Sequence, residues 1–560
     1  MENAKSPSSF EPSGVETHVK GPILQFSLSP LVKTPKEATG KNLEPAKTKE
    51  VKYLTGTKLV MVISAVTLVN FLVSLDITII VTAIPSITTH FHSLDDIGWY
   101  GSAYQITGAC VQPLSGRIYT NFSSKWTYLG FFFVFELGSL LCALATSSKM
   151  LIIARAVAGI GSAGLTNGTL TIATSSVPLH KSPPLIGAIM GFSQLGAVLG
   201  PLLGGAFTEY VTWRWCFYIN LPVGAIVALL LVSTEIPDEN AKMKDDVFSI
   251  IFHKLDLIGF VFFTPAAVQL LLAIEYGTNQ YDWSNMTVIG LFCGSGATFI
   301  VFIFWEHRQG DLAMIPLPII SRRIVWASCL VIMCNVGITL VASFYLPIYF
   351  QAVNNDSPTM SGVCILPAVL AHLIFAVLSG VLIGKLGYYL PWGVFCGVVA
   401  SIGNGLISTW APDTPTGKLV GYQILLGAGR GAGYQVPIIA IQNALPPSQV
   451  SIAIAILICS QRLFGALCLT FAHVIFSSGL KNLVPKYAPN VNPTTVIKAG
   501  AAGIRDVVSS QDLAGVVKAY ADSIDRVFYM VAALGVFYLA FCSGMEWKDV
   551  RKKTPSAEHV

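Results

Sequence analysis

The chain is built from long apolar runs separated by short polar breaks. Fourteen runs are legible, near 59–84, 97–116, 126–146, 150–172, 185–207, 215–234, 255–274, 287–305, 325–350, 361–384, 389–409, 418–440, 451–477 and 527–545. Each is long enough to cross a hydrocarbon core of about 30 Å at about 1.5 Å per residue. Lipid-facing strands alternate apolar and polar positions with a period of two. These runs do not, so they predict helices rather than a barrel. Residues 1–57, rich in Ser, Pro, Lys and Glu, contain no long apolar core; they read as a disordered tail rather than a cleavable signal.

Composition agrees with that pattern. A mean hydropathy of +0.64, with 53% hydrophobic and 12% charged residues, excludes a chain of 560 residues folding in water. Direction across the membrane is read from lysines and arginines in short loops. Nine lysines precede the first run. Arg117 and Lys125, Lys181, Lys242, Lys244 and Lys254, then Arg308, Arg322 and Arg323 fall in alternate loops, and Lys548, Arg551, Lys552 and Lys553 follow the last run. The intervening loops at 85–96, 275–286 and 351–360 are nearly cation-free, so both termini are expected in the cytosol. The basic segment 478–526 is the exception, expected as a long outer loop. Sequons at Asn285 and Asn355 fall on the predicted outer side as glycosylation candidates. Ten of the eleven cysteines, Cys110 to Cys542 with Cys216 set aside, read as small hydrophobes inside apolar runs, with no CxxC.

The chain repeats itself. Ser115-Gly116-Arg117 after the second run is echoed by Ser379-Gly380 and Gly384-Lys385 after the tenth. Arg155 with Gly159-Ile160-Gly161 is echoed by Gly427-Ala428-Gly429 with Arg430, and Ser193-Gln194 with Gly196-Ala197 by Ser460-Gln461 with Gly465-Ala466. Residues 58–234 and 325–546 therefore read as two similar six-helix bundles. Residues 235–324 read as a linker carrying an inserted pair of spans, and 547–560 as a cytosolic tail. Two repeats about a central cavity are the architecture of alternating access.

Within the fifth run, Gly191 to Gly205 reads GFSQLGAVLGPLLGG. Gly196, Gly200 and Gly204 recur every four residues, a side-chain-free stripe along which a second helix approaches at backbone distance. Pro201 removes one N–H and frees the carbonyl of Ala197. The run resembles the antiporter signature of major facilitator superfamily exporters. Leu75-Asp76-Ile77-Thr78 with Ala83-Ile84-Pro85, Arg155 with Gly159, Gly161 and Gly164, and Trp213-Arg214-Trp215 through Asn220-Leu221-Pro222 are similar to motifs of the fourteen-span drug:proton antiporter branch. The resemblance covers roughly residues 58–545. It implies an all-α membrane protein with the major facilitator fold, fourteen transmembrane helices arranged as two six-helix bundles plus an inserted pair. The loop after the second run departs from the family: Thr120 stands where an acid is usual, and Ser123 and Ser124 replace a glycine and a base. The pattern Phe122-Ser123-Ser124-Lys125-Trp126 is similar to that of fungal toxin and multidrug efflux proteins.

Ionised groups at membrane depth cost about 2.5–3.5 kcal/mol or more, so each needs a partner, water or a proton. Asp76 and Arg155 are placed at comparable depth, roughly 8–12 Å below the outer interface, and could pair. Asp76 or Glu136 is the expected proton-coupling acid, with Arg155 beside Asp76; a permanent ion pair and a structural Glu136 are the competing readings. Arg430 could neutralise an anionic substrate or bind carbonyls. Gln194, Gln269 and Gln461, with Arg430, are candidates for binding substrate, although amides also hold helices together. His372 and His473 are expected to be satisfied bundle histidines, and Arg462 is a further ion in the thirteenth run.

No GxxxxGK[ST] loop or zinc-spaced His/Cys set occurs, so the expectation is a transporter without cofactor or metal, driven by the proton gradient. Its partners are protons, the lipid bilayer and a small amphipathic organic molecule, a fungal toxin or drug; nucleic acid has no support, and a monomer in the plasma membrane is expected. A vacuolar location, an importer of a nutrient or chelate on the same fold, and a non-transporting receptor are the alternatives.

Overall fold

The computed structural model describes residues 53–92, 96–234, 236, 250–251, 254–279 and 281–551. Most of the tail expected at 1–57, most of that at 547–560 and most of the segment 235–249 lie outside the described residues; Gly56 and Thr57 already belong to the first helix. Fourteen helices match the apolar runs one for one. They are α1 (Gly56–Phe91), α2 (Ile97–Asn121), α3 (Ser124–Ala143), α4 (Ser148–Ser175), α5 (Ser182–Tyr210), α6 (Trp215–Ser233) and α7 (Leu257–Asn279), followed by α8 (Met286–Gln309), α9 (Arg323–Ala352), α10 (Met360–Leu386), α11 (Leu390–Ile407), α12 (Thr416–Ala444), α13 (Pro447–Tyr487) and α14 (Leu513–Cys542). Thirteen are long and apolar enough to cross a membrane; α2 is long enough but falls short in apolarity. It carries Gln105, Gln112, Arg117 and Asn121, which it can do because it packs against α4, α13 and α7 rather than lipid.

Local chemistry sets the helix ends. Ser147 accepts a hydrogen bond from Met150 N at 3.3 Å, Asn285 from Thr287 N at 2.8 Å and Ser357 from Met360 N at 3.1 Å, each satisfying an N–H that the first turn leaves free. At the end of α10, Gly387 adopts φ +87°, a left-handed cap that only glycine takes without strain.

Packing reproduces the repeat. α1 lies on α5 as α9 lies on α13, α2 and α3 on α4 as α10 and α11 on α12, and α1 on α6 as α9 on α14. The halves meet through two equivalent crossings, α2 on α13 and α5 on α10. The inserted helices α7 and α8 pair with each other, and α7 rests against α2 and α13.

The described chain begins and ends on one face, where Leu54 N donates to Ser176 O at 2.9 Å and Val550 N to Gly387 O at 2.9 Å. Hydrogen bonds between the halves cluster toward this terminal face: Ser182 Oγ to Gln442 Oε1 at 3.4 Å, Thr171 Oγ1 to Ser451 Oγ at 3.4 Å, and Ser451 Oγ to Gly116 O at 3.5 Å. Glycines permit the approach. A Cβ on Gly116 would lie 2.7 Å from Ala455 Cβ, and one on Gly380 2.6 Å from Pro183 O.

Residues 478–526, expected as a loop, are largely helical. α13 runs on to Tyr487, Pro493–Val507 forms a further helix, and α14 starts at Leu513. Val496, Ile504, Val516 and Tyr520 are buried together with Val484. One-sided helices of this kind carry polar residues on the other face, so averaging hydropathy along the chain hides them.

Candidate functional site

The first bundle holds a closed polar network on a helix-only frame. Arg155 Nη1 of α4 donates to Asp76 Oδ2 of α1 at 2.6 Å, with both side chains at most 1% exposed. Arg155 Nε donates to Tyr100 O at 3.0 Å, and its guanidinium lies 4.5 Å from the Tyr104 ring centroid. Asn220 Nδ2 donates to Asp76 Oδ1 at 3.3 Å and to Ser139 Oγ at 3.1 Å. Asp76 thus has a donor on each oxygen, all from the first bundle. Glu136 on α3 is the opposite case. Both of its carboxyl oxygens are buried with no hydrogen-bond partner, beside Gly224 of α6, whose missing side chain leaves the room: a Cβ there would lie 2.6 Å from Glu136 Cδ. Asp76 is within electrostatic reach. Asn220, Ser139 and Tyr100 were not singled out in the sequence. Asn220 lay inside a recognisable motif, but nothing along the chain connects it to Asp76.

The glycine stripe divides its work between two partners. A Cβ on Gly196 would lie 2.6 Å from Phe71 O, one on Gly200 2.9 Å from Ile79 N, and one on Gly204 would meet Ile79 O and Thr82 Oγ1. These three face α1 inside the first bundle. Gly191 instead faces Leu373 of α10, at 2.6 Å from its Cδ1, and Leu202 near the far end of the run lies 3.5 Å from where a Cβ on Gly362 of α10 would stand, so the run meets the other half through residues off the stripe. Gly205 meets nothing within 4 Å, so it belongs to the motif without belonging to the packing. Pro201 sits inside the continuous helix α5.

Within the helices α9 to α14 of the second bundle the acids, Asp522 and Asp525, are confined to α14. No Asp or Glu occurs between Arg323 and Tyr487 on α9 to α13. Arg430 is 3% exposed and its Nε has no partner, so it does not bind carbonyls through that donor. His372, 1% exposed, has neither ring nitrogen paired; the expectation of a satisfied histidine is wrong here, because the Cα and carbonyl of His372 press on Gly431 while its ring meets the edge of the Tyr434 ring at 6.2 Å. His473 is satisfied by Ser477 one turn on, at 3.2 Å. Gln461 Nε2 donates to Tyr434 Oη at 3.1 Å. Its neighbour Arg462 crosses to the other half and donates to Gln105 Oε1 at 3.4 Å. Gln194 is half-buried on α5.

Gln269 is not at the meeting of the halves. Its Oε1 points at Gly294 of α8, 2.6 Å from where a Cβ would stand, because α7 and α8 pair through small residues. Asn355 is exposed with φ +63°, and Asn285 caps α8; both lie on the face opposite the chain ends.

On the terminal face the altered loop after α2 has found other partners. Arg117, with no acid at Thr120, donates through Nε to Ala313 O at 2.8 Å and also reaches Asp311 O. Lys125 Nζ donates to Val232 O at 2.9 Å and Thr234 O at 2.7 Å, capping the carbonyl end of α6 where a cation is favoured.

This geometry matches what the chain resembles elsewhere. The sequence signature described as Major Facilitator Superfamily matches residues 66–469. The MFS-type transporter pigP of Monascus ruber is 55% identical over 504 residues, covering 90% of this chain and 88% of that one. The efflux pump mlcE of Penicillium citrinum is 48% identical over 526 residues, covering 92% and 95%. Among solved structures, the proton:xylose symporter XylE bound to 6-bromo-6-deoxy-D-glucose superposes with a TM-score of 0.54 at 15% identity, over 88% of this chain and 98% of that one, which speaks to the fold alone. The chain is a multi-pass membrane protein that belongs to the Major Facilitator Superfamily, among its fungal efflux pumps and MFS-type transporters.

Proposed function

We propose that this protein expels small amphipathic organic molecules, a fungal secondary metabolite or drug, in exchange for protons moving inward. The two halves rock about the space between them, opening and closing the crossings α2–α13 and α5–α10. It works as a monomer in the plasma membrane with both termini in the cytosol, a vacuolar membrane being the alternative location, and the proton gradient takes the place of a cofactor.

The observation that carries the coupling is the contrast between two acids in one bundle. Asp76 is saturated by Arg155 and Asn220, while Glu136 is buried with no donor. A carboxylate without donors at that depth costs several kcal/mol, and a proton removes the cost. Glu136 is therefore assigned as the group that takes up and releases the proton. Asp76–Arg155 holds α1, α4 and α6 together as the element that senses the change. Substrate is met by Gln194, Gln461 and the arginines of the second half.

Glu136→Gln is expected to reduce uphill, pH-driven uptake of substrate into inverted vesicles at least tenfold while leaving downhill counterflow of the same substrate within about twofold. Uphill efflux with unchanged pH dependence in this variant would remove Glu136 from the mechanism.

A further inference from the structure

We infer that the cargo is an organic anion, an amphipathic carboxylate in the simplest case, held by Arg462 with Arg430 and His372 behind it. The inference deepens the efflux reading above and rests on it for the word cargo. It starts from charge. In the first bundle the buried cation Arg155 is matched by Asp76. In the second, Arg430 and Arg462 have no acidic partner among the described residues: α9 to α13 contain no acid, and of the two on α14, Asp522 accepts from Tyr487 and neither pairs with these arginines. Burying the Arg430 guanidinium without counter-charge costs several kcal/mol, and the half-buried Arg462 adds a second unmatched charge in the same bundle. A bound anion offsets that cost.

The arrangement gives the anion a place to enter. Arg462 is half-buried, and it extends across the meeting of the halves to the neutral amide of Gln105. Gln105 is exposed in the middle of α2 and meets Arg462 of α13, so the space beside these two residues is not filled by the protein. A guanidinium with one long contact to an amide keeps most of its five donors free, and their fork matches the two oxygens of a carboxylate. Behind it, the Arg430 Nε and both nitrogens of His372 are buried and unpaired. Tyr434 connects the two layers: it is one turn beyond Arg430 on α12, its ring touches that of His372, and its hydroxyl accepts from Gln461. Arg462 is also within electrostatic reach of Tyr434 and Tyr104, whose rings offer apolar surface to the body of the same molecule.

The test is equilibrium binding to the full chain purified in detergent, using pyrenebutyrate and dansylaminoundecanoate, each against its own methyl ester. Both acids are expected to bind at least tenfold more tightly than their esters. Arg462→Gln removes at least tenfold of that affinity and leaves ester binding within about twofold. Arg462→Lys, which keeps the charge but not the fork, recovers part of the loss and also reports that the fold is intact. Equal binding of acid and ester by the unaltered protein, a parallel loss of both in Arg462→Gln, or no binding of either acid overturns the inference. Transport is read separately: acids that bind through Arg462 yet are not moved out of vesicles overturn the efflux reading and leave the anion site standing.

Discussion

Gly200→Val is expected to abolish efflux and to destabilise the folded protein by about 1–3 kcal/mol, the range for forcing extra carbon into a packed interior. The new Cβ would stand 2.9 Å from both Ile79 N and Thr78 Cβ, closer than carbon tolerates, and the backbone of α1 cannot step aside without carrying Asp76 with it. Ile79 is three positions on from Asp76, less than one turn of helix. Displacing α1 there shifts the acid away from Arg155 and Asn220, so the consequence reaches the buried network and not only the packing. Gly205→Ala is the matched control, since a Cβ at that position meets nothing within 4 Å. Thermal unfolding in detergent and vesicle efflux, measured on both variants, check the pair. Equal behaviour of the two would show that the stripe acts in some way other than by close approach to α1.

Asp76→Asn carries the second large effect. Arg155 is fully buried, and removing its counter-charge strands a guanidinium in low dielectric, at a cost of about 3–5 kcal/mol. The variant is expected to unfold at a markedly lower temperature and to lose uphill efflux. Adding Arg155→Gln removes the stranded charge, so the double variant should regain most of the stability while remaining inactive. That split distinguishes an ion pair that only holds helices together from one whose charges take part in transport. If the double variant regained efflux together with stability, the pair would be structural.

The two effects share a physical basis. α1 is fixed by a side-chain-free contact with α5 on one side and by a charge contact with α4 on another. In the proposed mechanism, a proton arriving at Glu136, which lies within electrostatic reach of Asp76, changes the field on a helix that both contacts hold in register. The halves approach closely through Gly116 against Ala455, Gly380 against Pro183 and Gly187 against Ala376, and these are the contacts that the proposed rocking would have to separate.

Much of this was legible along the chain. Each apolar run became a helix, because twenty apolar residues in lipid leave the backbone no hydrogen-bond partner but itself. The repeat announced the duplicated packing, and the shared depth of Asp76 and Arg155 anticipated their contact, since helical rise converts position in sequence directly into depth. The spacing of Gly196, Gly200 and Gly204 announced a close neighbour. It could not say which, and the neighbour is α1 within the same bundle rather than the opposite half. Gln269 shows the same limit: its place within an apolar run was readable, but the direction of its side chain was not.

What the sequence determined by itself is therefore one-dimensional: which segments are apolar helices, where along its helix each ionisable group lies, and where helices lack side chains. Only the tertiary structure decided partnership. It gave Asp76 two donors and Glu136 none, turned Arg117 toward the carbonyls of Asp311 and Ala313, and left Arg430 and His372 unpaired. The reason is that depth is set by covalent spacing along one helix, whereas partnership depends on how each helix is rotated against its neighbours. That rotation is settled by side chains distant in sequence packing at once.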